Sequence, residues 1–91
     1  MSVYVDEPIH PFGRMMMCHM VADTPQELHA MADRIGVQRK WFQNKKDRPH
    51  YDICMSKRKL AVGFGAIETE DGRTIIEVAK RCWIESEAKD G

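Results

Sequence analysis

The run MMMCHMVADTPQELHAMADRIG, residues 15–36, limits the folds open to this chain more than any other part of it. Its first eight residues, apolar apart from one histidine, suit a strand, and the residues after Ala22 carry the signals of a helix. Thr24 stands at the N-cap, Pro25 at the first helical position and Glu27 three residues after the cap, which makes a capping box. Leu28, Met31, Ala32 and Ile35 follow the i, i+3, i+4, i+7 spacing of a buried stripe, and Gly36 takes the position where a left-handed residue ends a helix. A strand feeding so well-defined a helix implies a sheet with a helix packed on it. Because strand side chains alternate, His19, Val21 and Asp23 face one way and Cys18, Met20 and Ala22 the other. The first face is partly polar, either as the solvent side of an ordinary sheet or as the floor of a site.

The remaining elements are read in the same way. Val3 and Val5 alternate with Tyr4 and Asp6 in a short strand that Pro8 ends, and IHPFGR, including His10, reads as a loop. Val37 with RKWFQ predicts a third strand, so that strand, helix and strand form a parallel, right-handed unit. NKKDRP reads as a polar loop. Residues 53–64 predict a second helix capped by Asp52 or Ser56, with Ile53, Leu60, Ala61 and Phe64 on its inner side. Thr74 and Glu77 form a second capping box, opening a helix whose apolar face is Ile75, Val78, Ala79, Cys82 and Trp83. A hairpin at Asp71-Gly72 competes for that stretch, and residues 85–91 read as a frayed tail. The expected architecture is a single α/β domain, a small and mostly parallel sheet of about three strands packed with about three helices.

With 91 residues there is room for one modest core, which excludes a pair of catalytic domains. No apolar run approaches the roughly 20 residues needed to span a bilayer. The start MSVYVDEP lacks a basic stretch followed by an apolar one, so a cytoplasmic protein is expected. Cys18, Cys54 and Cys82 are odd in number and irregularly spaced, which argues against a disulfide framework or a zinc ribbon. Cys18 is set aside as a nucleophile because His19 points to the opposite face and cannot activate it. The net charge of zero conceals a segregation. Residues 34–59 carry nine basic residues against Asp47 and Asp52, a balance of +7, while the flanking segments are acidic. A basic middle attracts anions such as phosphate.

No glycine-rich phosphate loop, nucleophile elbow or zinc-protease helix is present. There remains a distributed set of acids and imidazoles. Alternation puts His50 and Asp52 of HYD on a common side, so Asp6, His19, Asp23, His50 and Asp52 can share one edge of a sheet. Such groups either ligate a divalent metal or perform acid–base transfer. The expectation names His19, His50 and Asp52 as catalytic and Asp6, His19 and Asp23 as candidate metal ligands. Arg39, Lys40, Trp41, Tyr51, Arg58 and Tyr4 are the candidate ligand-binding residues, since cations interleaved with aromatics suit phosphate pairing and base stacking. His29 is read as structural, paired with Asp33 one helical turn on.

YVDEP, FGRMMMCHMVADTPQELHAMADRIGV, RKWFQ, PHYDI, SKRKLAV and GA, together spanning about residues 1–67, resemble domain-of-unknown-function family 4031, short proteins of bacteria and their phages. The family's pattern falls on Tyr4, Asp6, His19, Asp23, His29, Trp41, Phe42, His50, Tyr51, Asp52 and Arg58. The resemblance implies a bacterial or phage cytoplasmic setting in which the domain acts on, or sequesters, a nucleotide signal. Two functions are therefore expected. One is a phosphoesterase of small phosphorylated molecules with a His/Asp site and a possible divalent metal. The other is a non-catalytic nucleotide sponge, or counter-defence protein, whose pocket forms between subunits of a homo-oligomer. A nucleic-acid accessory role is disfavoured by the zero net charge and the acidic ends.

Overall fold

The computed structural model describes residues 2–7, 10–13 and 15–90, with the side chains of 10–12 and 85–90 outside the description. Pro8, read as the end of the first strand, lies outside the described residues. In chain order the elements are β1 (Val3–Val5), β2 (His10–Phe12), β3 (Met15–Ala22), α1 (Pro25–Ile35), a 3₁₀ turn (Arg39–Trp41), β4 (Gln43–Lys45), β5 (Arg48–Cys54), α2 (Met55–Gly63), β6 (Ile67–Glu68) and α3 (Gly72–Asp90).

The sheet runs β4-β5-β3-β1-β6, with β2 pairing the start of β3. Only β1 and β6 are parallel; β1–β3, β2–β3, β3–β5 and β4–β5 are all antiparallel. This corrects the expected three-stranded, mostly parallel sheet. The reason lies in residues 43–54. Rather than a strand over RKWFQ and a loop over NKKDRP, the chain makes a 3₁₀ turn and then a hairpin, closed at Lys46-Asp47 with Asp47 at φ 61. Aspartate tolerates that left-handed conformation better than most residues. The hairpin slides β5 between β3 and β4. The strand after α1 does run in the direction of β3, as a right-handed crossover requires, but β5 separates the two. His10, expected in a loop, begins a short strand opposite Met17.

Helices cover both faces. Leu28, Met31, Ala32 and Ile35 of α1 and Ala61 of α2 pack on Cys18, Met20, Tyr51 and Ile53. On the other face Ile75, Val78 and Ala79 of α3 pack on Val21 and Tyr4. Helix α1 has the expected ends, with the Thr24 hydroxyl accepting from the Glu27 N–H and Gly36 at φ 81. Helix α2 starts later than expected because ladder pairing of β5 with β3 continues to Cys54, which leaves Ile53 in the strand. Its N-cap, Cys54, makes no side-chain cap bond, and Leu60 and Phe64 are exposed. Helix α3 is capped by Asp71, which accepts from the Arg73 N–H at 2.9 Å, three residues ahead of the expected Thr74. The competing hairpin does not form, and the helix runs to Asp90 through the expected frayed tail.

Candidate functional site

The site lies on the α3 face of the sheet, where β3 and β5 meet. His19 spends its main-chain groups on the β1 side: its N–H donates to Asp6 Oδ1 at 2.6 Å and its carbonyl accepts from the Asp6 N–H at 3.2 Å. Its pairing with Asp52 across the strands is therefore a non-hydrogen-bonded one, the kind that brings side chains closest. His19 Nε2 stands 3.8 Å from Asp52 Oδ1, and His50 Nε2 approaches the same oxygen at 3.4 Å. The two imidazoles meet edge to face, their centroids 5.2 Å apart.

Hydrogen bonding settles the tautomers. His19 Nδ1 lies 2.7 Å from Asp6 Oδ2, and His50 Nδ1 lies 2.7 Å from the Arg48 carbonyl. A carboxylate and a carbonyl only accept, so each Nδ1 carries a hydrogen and donates it. With Nδ1 protonated, the lone pair of each neutral ring is on Nε2, and the two Nε2 atoms are the ones that approach Asp52 Oδ1. Asp6 also raises the His19 pKa above its ordinary 6.5, chiefly through the hydrogen bond and against the opposing effect of burial. The pull that favours a proton on this ring also favours a bound cation.

His19, His50 and Asp52 offer donor atoms that all lie within 4.8 Å of one another. Tetrahedral donors about 2.0–2.1 Å from a zinc ion stand about 3.4 Å apart, so the residues fit a divalent metal with small inward movements. Both histidines have the outer partner that metal-bound histidines characteristically have. The set differs from the expected Asp6, His19 and Asp23. Both Asp6 oxygens are engaged with His19, placing this residue behind the ligand. Asp23 is four residues further along the strand, about 13 Å away. It accepts from the Ser2 N–H at 2.9 Å and faces Arg81.

The other expected binding residues disperse. Tyr51 is fully buried on the opposite face, where its hydroxyl lies 2.7 Å from His29 Nδ1 and Phe42 packs against both rings. His29 is thus structural through Tyr51, while its expected partner Asp33 pairs with Arg39. Tyr4 packs beneath α3. Arg58 donates to the Asp6 carbonyl and to Glu68, each at 2.8 Å, and so braces the segment that holds Asp6. Lys40 lies 5.4 Å from the Trp41 ring, which is 58% exposed. Cys18 is buried and its thiol is pushed up to about 12 by desolvation, which suits a packing role. Gln43, absent from the expected set, and Lys45 and Arg48, expected only as cations of the basic middle segment, extend the site face, since Gln43 pairs with His50 and Lys45 with Arg48. Counting back by twos from His50 finds Arg48 in the sequence itself.

The triad is open, with Asp52 44% and His19 31% exposed and His50 13%. Clefts of about 370 and 380 Å³ lie elsewhere, one along α2 by Met55 and Arg58, the other between α1 and Phe64. Among the described residues no helix is long and apolar enough to cross a membrane. No curated protein and no solved structure matches the chain. One family profile does match, described as protein of unknown function (DUF4031); it covers residues 3–82, running past the stretch that carries the resemblance in sequence and taking in every residue of the site, and the chain belongs to that family.

Proposed function

We propose that His19, His50 and Asp52 hold a divalent metal ion and that the protein uses it to hydrolyse a phosphoester. The observation that carries this reading is the convergence of two imidazole Nε2 atoms, each with its Nδ1 hydrogen committed elsewhere, on one carboxylate oxygen. Three protein ligands leave further coordination positions open, as in hydrolytic rather than structural metal centres. A divalent ion supplies Lewis acidity and a nucleophilic water at neutral pH. The chain contributes position: Asp6 fixes the His19 ring, the Arg48 carbonyl fixes His50, and Arg58 holds the Asp6 segment. A cytoplasmic setting accompanies this reading, supported by three cysteines whose odd number and irregular spacing do not suit a disulfide framework.

The test combines metal binding with turnover. Calorimetric titration with Zn²⁺ or Mn²⁺ is expected to find one ion per chain, and none after His50→Ala. Nucleotides and simple phosphoesters incubated with the protein should return changed products only when the cation is present. His19→Ala and His50→Ala, shown to be folded by circular dichroism, should each lower turnover by about 10² or more. Unchanged turnover in the folded variants would overturn the proposal. So would nucleotides that bind and return intact, the result a nucleotide sponge gives.

A further inference from the structure

On the hairpin side of the triad, its own face carries two cations, Arg48 and Lys45. Along β5, Arg48 shares a face with His50 and Asp52, and Lys45 and Gln43 of β4 stand opposite Arg48 and His50 on that face. Among the described residues neither Arg48 nor Lys45 makes an ion pair with an acid, unlike Arg39, Arg58 and Arg81. Lys40, Lys45, Lys46 and Arg48 against Asp47 give the segment 40–48 a balance of +3. Trp41, exposed, sits two residues ahead of Gln43. A metal-fitting triad thus continues into a basic hairpin with an aromatic at its base.

We infer that the β4–β5 hairpin is the substrate arm of the triad and that the substrate is a single-stranded nucleic acid. This rests on the hydrolytic reading of the triad. Two features select a strand over a mononucleotide. The triad opens to solvent through Asp52 and His19, 44% and 31% exposed, whereas a small ligand needs a concave pocket around most of its surface. The arm also places cations beyond the scissile position: alternate residues of a strand are about 6.6 Å apart, so Arg48 stands one such step past His50. A scissile phosphodiester at the triad would therefore leave its neighbouring phosphate beside Arg48 and Lys45 and a base within reach of the Trp41 ring. In the reaction the water oxygen bonds to phosphorus and the bond from phosphorus to one ester oxygen breaks. That oxygen leaves with the second water proton, and one strand plus one water gives two shorter strands.

Binding and cleavage are measured separately. Anisotropy of a 5′-fluorescein dodecadeoxynucleotide with the folded His19→Ala protein should show binding that weakens steeply with salt, because phosphate contacts release counterions. Adding Lys45→Ala and Arg48→Ala should flatten that log–log slope by about 1.4, at about 0.7 for each phosphate that loses its cation on a single strand. Trp41 fluorescence should fall on binding. With the otherwise native chain and Mn²⁺, the Lys45→Ala/Arg48→Ala pair should cut the preference for the oligonucleotide over bis(p-nitrophenyl) phosphate by about tenfold or more, an effect on kcat/KM worth about 1.4 kcal/mol. Lys59→Ala, on α2 across the sheet, should leave that preference unchanged. An unchanged slope and preference in the double variant would overturn the arm even if the triad turns over the small diester. Salt-dependent binding through the arm without cleavage of any phosphoester would leave the arm standing and remove the hydrolytic reading.

Discussion

At the scale of single residues, Asp6 carries more of the site than its position near the chain start suggests. One carboxylate takes both the backbone N–H and the ring N–H of His19, so it closes a gap in the ladder and sets a tautomer together. Asp6→Asn keeps a similar shape and weakens the ring contact. Removing an outer partner of a metal-bound histidine usually costs about 10- to 100-fold in affinity, and a loss of that size is expected in a zinc competition assay, with the circular dichroism spectrum unchanged. Alternation put His19 on one strand face and His50 with Asp52 on another, but the β3–β5 pairing that joins those faces was not legible in the sequence. The same rule sends Tyr51 to the opposite face, so its place among the expected binding residues went against the pattern. The role of Asp6 was less legible, because it depends on β1 stopping at Val5 and on Arg58, 52 positions away, holding the Asp6 carbonyl.

At the scale of elements, legibility followed the strength of the local signals. Strand β3 is an eight-residue apolar run interrupted only by His19 and α1 has a cap at each end, and the structure gives both the expected bounds. Thr24 is the test of how much the cap matters. Thr24→Ala removes the acceptor for the Glu27 N–H and is expected to destabilise the protein by about 1 kcal/mol in urea unfolding, with Thr24→Ser restoring most of the loss. The β4–β5 hairpin had no comparable signal. Its turn, Lys46-Asp47, contains no glycine, and Gln43-Asn44-Lys45 offers no apolar alternation because β4 is a polar edge strand buried on neither face. Without that hairpin an antiparallel sheet reads as a parallel one, and Arg48 and Lys45 fall in an apparent loop.

At the scale of the whole molecule, helices on both faces leave the stability of a small domain sensitive to what each partly buried polar group does. His29 is the clearest case. Burial lowers its pKa below the ordinary 6.5, with the Arg39 charge adding to the effect. The folded state then prefers the neutral ring, and the unfolded chain takes up more protons between the lowered value and 6.5. Stability from this site is therefore present above 6.5 and is lost as pH falls through the folded pKa. Melting temperatures measured from about pH 5 to about pH 8 should show a smaller acid-side loss in His29→Phe than in the native chain, once differences common to both are subtracted. The brace from Arg58 has a consequence of another kind. It joins the end of the first strand to the second helix and, through Glu68, to the last strand, while the triad itself draws on positions 19, 50 and 52. Closing such long loops adds little free energy, since the entropy grows only with the logarithm of their length, but it ties the site to elements from most of the chain. No short segment contains it. Whatever opens β6 or α2 first, well before the core melts, frees the Asp6 segment and slackens His19, so the geometry of the triad is lost at the first local opening and not at the last.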